Sequence, residues 1–267
     1  MGNMDSDSGF TETEFMICLA ARVLEDRKSV FVGWGIPQVV ALLAERLYTP
    51  NLVQVFEFGA IGPQSQTPFV QGTMGGPSNV YRSLQWTTMN WAFSYAATGY
   101  LDYGMIGALQ VDPYGNVNST LLGGTYDRPR RRFAGSGGGN EVASLCWKTI
   151  VVLKHEPRRF VERLDFMTSP GYLTGLGARE TAGLPRGTGP YRVVTSQALF
   201  GFEEETKRML LLGVLQGLSA DRVIHEMGFE PRIAEKVEVL EPPTREELAI
   251  LRGEIDPARI IIGRPAG

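Results

Sequence analysis

The chain has 267 residues, 43% hydrophobic and 21% charged, with a formal net charge of -3. That length accommodates one large α/β domain or two small ones with a substantial core. The near-balanced charge gives no electrostatic reason to expect nucleic acid or an anionic membrane as partner, and the longest apolar run, 209–218, is broken by Gly213 and Gln216 and falls far short of the ~20 residues a membrane span needs.

At the N terminus, Met1-Gly2-Asn3-Met4-Asp5-Ser6 fits a loose N-myristoylation pattern. The acidic, serine-rich stretch around it offers no basic second anchor, and one acyl chain binds membranes weakly. Residues 1–10 are therefore expected to form a disordered tail, with 11–267 as a single domain. Residues 11–25 carry Phe15, Leu19 and Val23 at helical spacing, and Thr11-Glu12-Thr13-Glu14 forms a capping box at its start. Residues 29–32 read as a strand that meets Gly33-Trp34-Gly35, and a helix follows over about 38–47. Residues 52–56 predict a buried strand ending directly before Glu57, with further strands over 105–111, 149–153 and 191–195. Helices are expected over 219–227 and from a second capping box, Thr244-Arg245-Glu246-Glu247. Short apolar strands alternating with helices predict an α/β fold with a largely parallel, covered sheet.

The two cysteines, Cys18 and Cys146, sit in apolar surroundings. They read as small buried hydrophobes in a reducing, cytoplasmic compartment, not as a disulfide. The only histidines are His155 and His225, neither in a motif that nominates it as a catalytic base. No Cys/His/carboxylate set has zinc-ligand spacing, so no metal is expected. Gly33-Trp34-Gly35 lacks the third glycine of the dinucleotide fingerprint, because position 38 is Gln.

Three features carry chemistry. Glu57 follows an apolar strand, and ligands of open α/β sheets gather at the carboxyl ends of strands; a surface glutamate is the plain alternative. Gly135-Ser136-Gly137-Gly138-Gly139-Asn140 can turn several N–H groups inward as an anion-binding nest and so stabilise an oxyanion, or it can be a flexible loop. Asp112-Pro113-Tyr114-Gly115-Asn116-Val117-Asn118-Ser119-Thr120 is a strand-to-turn segment dense in backbone-bonding side chains. Beside these three, Arg128-Pro129-Arg130-Arg131-Arg132 just before the glycine run reads as a solvated basic loop, or as a neutraliser of nucleotide phosphates.

Together these segments resemble class I coenzyme A transferases, β subunits of the glutaconate type. The stretches that carry the resemblance are Val55-Phe56-Glu57-Phe58-Gly59, residues 110–120, and 132–140 through the glycine run. To these are added His155-Glu156-Pro157-Arg158-Arg159-Phe160, Thr168-Ser169-Pro170-Gly171 and Glu254-Ile255-Asp256-Pro257. The resemblance implies a three-layer α/β/α fold and a separate α subunit as obligate partner, in an α2β2 or larger heteromer. It implies coenzyme A (CoA) as substrate and covalent intermediate, with no bound cofactor, and acyl-CoA and carboxylic acid substrates. It carries the family's nucleophile onto Glu57 and leaves Gly135, Gly137, Gly138, Gly139 and Asn140 to stabilise the oxyanion and bind CoA. Phe58 and Gly59 are expected at the substrate pocket, where Phe58 departs from the small serine of the glutaconate enzymes. The bulky groups of 61–103 read mostly as core or subunit interface, with some left to line an acyl pocket. A CoA-ester or ring-opening C–C hydrolase on the same scaffold is the alternative, although such relatives generally lack the glutamate. A non-catalytic sugar- or nucleotide-binding regulator would leave Glu57 and the glycine run without a task.

Overall fold

The computed structural model describes residues 9–64, 67–69 and 74–263. The tail expected over 1–10 thus lies outside the described residues up to position 8, as does the pattern at Met1-Gly2. Helix α1 (Glu12–Val23) starts as its capping box dictates: the Thr11 hydroxyl accepts the Glu14 N–H, and the Glu14 carboxylate accepts the Thr11 N–H at 2.8 Å. The first βαβ unit follows, from β1 (Ser29–Val32) through α2 (Ile36–Leu47) to β2 (Val53–Val55). The chain then forms β3 (Ala60–Ile61), β4 (Gln85–Trp86), α3 (Met89–Ala97) and β5 (Tyr103–Gly107). Two small hairpins come next, β6 (Gln110–Val111) with β7 (Val117–Asn118) and β8 (Leu121–Gly124) with β9 (Pro129–Arg132). Helix α4 (Gly139–Leu145), β10 (Lys148–Leu153), α5 (Ala178–Thr181) and β11 (Gly189–Thr195) return the chain to the sheet. It closes with β12 (Ala198–Phe202), β13 (Met209–Leu215), α6 (Ala220–His225), β14 (Arg232–Leu240) and α7 (Arg245–Ile250).

Among the described residues the main sheet has ten strands, in the order β14-β13-β12-β11-β10-β5-β1-β2-β3-β4. Its middle, β11-β10-β5-β1-β2, is all parallel, and antiparallel strands extend both sides. Residues alternate between faces, so Val30 and Val32 pack under α1 and α2 while Phe31 faces α3 and α4. The result is the three-layer α/β/α arrangement expected from the sequence. Because β2 lies on one side of β1 and β5 on the other, the chain order reverses between β1 and β5. That reversal opens a crevice at the carboxyl ends of the parallel strands.

Residues 105–111 do not form one strand as expected. The chain leaves the sheet at Gly107, and Gln110 begins a separate hairpin. The physical reason lies in the Gln110 amide, whose partners Asn118 and Asp165 stand off the main sheet. In the hairpin its oxygen accepts from Asn118 Nδ2 at 2.7 Å, and its nitrogen donates to Asp165 at 3.1 Å. Among the described residues, no helix is long and apolar enough to cross a membrane.

Two enclosed carboxylates tie the helical layer together. Glu14 binds Arg252, and Glu247 binds Arg22, the Tyr48 hydroxyl and the Thr244 N–H. Burial alone would raise both carboxyls, but these donors and the arginine charges outweigh it and hold both below the ordinary 4.5. Burial also keeps His155 below its ordinary 6.5, although its ring hydrogen-bonds the Val223 carbonyl. Below pH 6.5 the unfolded chain takes up a proton at His155 that the folded chain refuses, so stability falls. Below pH 4.5 the unfolded carboxylates protonate before Glu14 and Glu247 do, and their contribution is lost as pH falls through their folded values. Urea midpoints measured from pH 8 to 3 are expected to drop in two steps. His155→Gln is expected to lack the upper step, and Glu247→Gln to show a smaller lower one.

Candidate active site

Strand β2 ends in a turn that fixes Glu57. The Gly59 N–H donates to the Phe56 carbonyl at 2.9 Å, and the Phe56 N–H donates to Ala60. Gly59 sits at φ +107°, and a Cβ there would collide with the Thr87 carbonyl. Only glycine fits a turn this close to the backbone that follows β4. Phe56 is fully buried beneath the turn and Glu57 is half-buried above it.

The glycine run reaches Glu57 from the other side of the crevice. It is anchored first: the Phe133 N–H donates to Thr120, the Ser119 hydroxyl donates to the Gly135 carbonyl at 2.8 Å, and the Gly135 N–H donates back to Ser119. Gly137 then turns the chain at φ +49°, and Gly138 caps α4. A Cβ at Gly138 would lie 3.1 Å from Glu57 Oε2 and 2.6 Å from Phe93 Cζ. Phe93 is itself stacked on Phe31 of β1, with ring centroids 5.0 Å apart. The carboxylate thus takes up room that a side chain at position 138 would need, beside an aromatic wall.

The structure brings Glu57, Gly137 and Gly138 together, and places the other expected site residues differently. The Gly139 N–H already donates to the Ser136 carbonyl at 2.8 Å, and Gly139 faces Ser169 and Ile106. The N–H groups of Gly137 and Gly138 have no acceptor among the described residues. Asn140 donates its amide to the Thr168 carbonyl at 2.9 Å. Phe58 stacks on Phe56 at 6.0 Å and packs toward the α1/α2 core. Arg131 and Arg132 of the basic run lie over the rings of Phe133 and Tyr126 on the exposed hairpin β8–β9.

The 112–120 segment and the 168–171 loop complete the frame. Asp112 is buried, which pushes its carboxyl up, and it accepts the N–H groups of Tyr114 and Asn116 and the Asn116 amide. Asn116 in turn accepts the N–H groups of Gly171 and Leu173. Thr168 accepts the Ser119 N–H and bonds the Thr120 hydroxyl at 2.7 Å. Of the histidines, His155 is enclosed against Phe160 and Phe200, which makes it structural. The sequence does not single out Phe93, Thr168 or Ser169 as site residues. Phe93 is one of many aromatics there, and Thr168-Ser169 stands out only through the family motif.

A half-buried carboxylate over a glycine turn, at the switch point of the sheet, is the candidate site of an α/β fold of the enzyme type. The profile of the family described as Coenzyme A transferase matches residues 13–226. The β subunit of glutaconate CoA-transferase from Acidaminococcus fermentans is 34% identical over 264 residues, covering 97% of each chain. The β subunit of 3-oxoadipate CoA-transferase from Pseudomonas knackmussii is 33% identical, covering 92% of this chain and 93% of its own. The crystal structure of the Acidaminococcus glutaconate enzyme superposes with a TM-score of 0.88 at 33% identity, covering 96% of this chain and 98% of that one. The chain is therefore an enzyme subunit of the coenzyme A transferase family, of the kind represented by the β chain of the glutaconate enzyme.

Proposed function

We propose that the chain, with 11–267 as one domain, is the β subunit of a cytoplasmic α2β2 or larger CoA-transferase that works through a glutamyl-CoA thioester on Glu57. The single observation that carries this reading is that Glu57 Oε2 lies 3.9 Å and 3.1 Å from where Cβ atoms on Gly137 and Gly138 would stand. That placement sets a nucleophile beside two unused backbone donors, which is what acyl transfer needs.

Transfer of CoA between two carboxylates is nearly isoenergetic, so the site must chiefly keep the activated acyl group from water. Glu57 attacks the donor thioester carbonyl, whose oxygen becomes the oxyanion that the Gly137 and Gly138 N–H groups receive. The C–S bond breaks, CoA leaves as thiolate, and Glu57 holds a mixed anhydride. The thiolate attacks the Glu57 carbonyl and expels the donor carboxylate, leaving the glutamyl-CoA thioester. The acceptor carboxylate repeats the two steps in reverse and regenerates Glu57. No cofactor or net proton is consumed. The two relatives are named for dicarboxylic acids, so dicarboxylates are the first acceptors to try.

The partner is an α subunit closing the crevice. Beside the Glu57 turn, Leu84 and Trp86 are 79% and 71% exposed, and Tyr81, Met89 and Trp91, close to them in the chain, are exposed too. An apolar face of this kind supports an interface between subunits more than an acyl pocket.

The test is to incubate the co-expressed subunits with acyl-CoA and no acceptor, reduce with borohydride, and locate the modified peptide by mass spectrometry. Modification at Glu57 is expected. Consumed acyl-CoA with unmodified Glu57 would replace this reading by the hydrolase. Gly138→Ala is a second check: its Cβ would push the Glu57 carboxylate and the Phe93 ring aside. Steady-state assays are expected to show transfer down by about 10- to 100-fold, the cost of a misplaced reacting group.

A further inference from the structure

Arg179 lies on the short helix α5 at 2% exposure, and among the described residues none of its hydrogen-bond partners is a carboxylate. A buried cation is costly, and an apolar side chain would fill this space with a smaller penalty. What the guanidinium does is visible in how its fork divides. Nη1 donates to the carbonyls of Pro170 at 3.2 Å and Gly171 at 2.7 Å. Nη2 donates to the carbonyls of Ala143 at 3.1 Å and Ser144 at 3.2 Å, and to the Thr188 hydroxyl at 2.8 Å.

The two sides of the fork belong to the two halves of the site frame. Ala143 and Ser144 end α4, whose first turn follows Gly138; the helix is only seven residues long. Its carbonyl end therefore sits ~7 Å from its start, and a shift at one end is felt at the other. Pro170 and Gly171 continue the strand of chain that holds Thr168, and Thr168 takes the Asn140 amide. Helix α4 is thus bound to the 168–171 loop twice, through Asn140 at its first turn and through Arg179 at its last. The carbonyls at the helix end also supply the partial negative charge that makes a buried cation tolerable there.

We infer that Arg179 is a positioning residue for the transfer reaction: it fixes α4 against the 168–171 loop and so holds the Gly137-Gly138 turn beside the Glu57 carboxylate. The inference rests on the function proposed above for the reaction it serves. Lysine cannot replace it, because one ammonium lacks the planar fork that reaches both sides at once.

The experiment compares wild type, Arg179→Lys and Thr188→Val in the assembled enzyme with its partner chain. Thr188→Val removes one Nη2 acceptor but leaves the four carbonyl contacts of the fork, and serves as the stability control. Arg179→Lys is expected to lower kcat about tenfold or more, with KM for acyl-CoA within about threefold, at temperatures where it is fully folded. Thr188→Val is expected to lose melting temperature but keep kcat. Amide hydrogen exchange over 137–144 and 168–171 is expected to quicken in Arg179→Lys while 12–47 stays unchanged. A kcat within about twofold of wild type, or a loss that tracks melting temperature equally in both variants, would overturn the inference. So would unchanged exchange in the two segments, whatever the reaction. Absence of CoA transfer in the wild-type assembly would instead sink the proposed function, and the exchange result would still decide whether Arg179 joins the two segments.

Discussion

Replacing Glu57 with alanine is expected to lower CoA transfer by at least about 10³-fold, because the proposed mechanism routes the covalent step through its carboxylate. The same variant is expected to keep its urea midpoint. Glu57 is half-buried and makes no hydrogen bond among the described residues, so its removal changes stability by no more than about 0.5 kcal/mol. Glu57→Asp separates charge from reach. It keeps the carboxylate but withdraws it from Gly138 by one methylene, and a displacement of that size costs on the order of 10²-fold in rate. Single-turnover assays of the assembled enzyme measure both. Alanine activity within tenfold of wild type would remove Glu57 from the mechanism.

The largest stability effect is expected at Glu247. Its side chain is fully enclosed, and it accepts Arg22 Nε at 2.8 Å, Arg22 Nη2 at 2.6 Å, the Tyr48 hydroxyl at 2.6 Å and the Thr244 N–H at 2.6 Å. One carboxylate thereby joins the end of α1, the end of α2 and the start of α7. Glu247→Ala leaves the Arg22 guanidinium short of its charge partner and opens the capping box, a combination worth about 3 kcal/mol. Arg22 is partly solvated and keeps the carbonyls of Glu241 and Pro242, which limits the loss to about that figure. The check is a lower urea midpoint with an unchanged m-value. A shift equivalent to less than about 1 kcal/mol would mean that the site relaxes by hydration.

The parts of this fold that the sequence makes legible are those governed by short-range chemistry. Both capping boxes, at Thr11 and Thr244, need only residues three apart, and both form as read. The mainly apolar runs at 29–32, 149–153 and 191–195 become central strands because most of their residues are buried between the helical layers. The same rule misleads at 105–111, where Gln110 pairs with Asn118 and Asp165 across the fold. Strands β13 and β14 escape for opposite reasons. Met209–Leu215 reads simply as an apolar run, while Arg232–Leu240 is an edge strand whose outward charges hide its partner-facing pattern. Helix α3 lies in a stretch of aromatics and small residues whose spacing names no face.

At the site, Glu57 is legible because a charge directly after an apolar strand is conspicuous, and the family resemblance gives it a role. The glycine run is legible as composition. Which of its amides are unused is not, because the Gly139 N–H is taken by a neighbour three residues back. Arg179 is hidden for the same kind of reason. Ala178-Arg179-Glu180 looks like any solvated helix turn, and its burial depends on α4 and the 168–171 loop arriving from elsewhere.

The site loops and the carboxylate ties share no element. Glu57, Gly138 and Phe93 hang from β2, α3 and the approach to α4, whereas Glu14 and Glu247 join α1, α2, α7 and the chain that follows it. Among the described residues, substitutions in the two sets touch no common partner, so their free-energy effects are expected to add. For evolvability this means that specificity and robustness can change independently. A lineage can recut the crevice for a new acid while the helices behind it hold the fold, and a laboratory can reinforce those helices first before it begins to reshape the pocket.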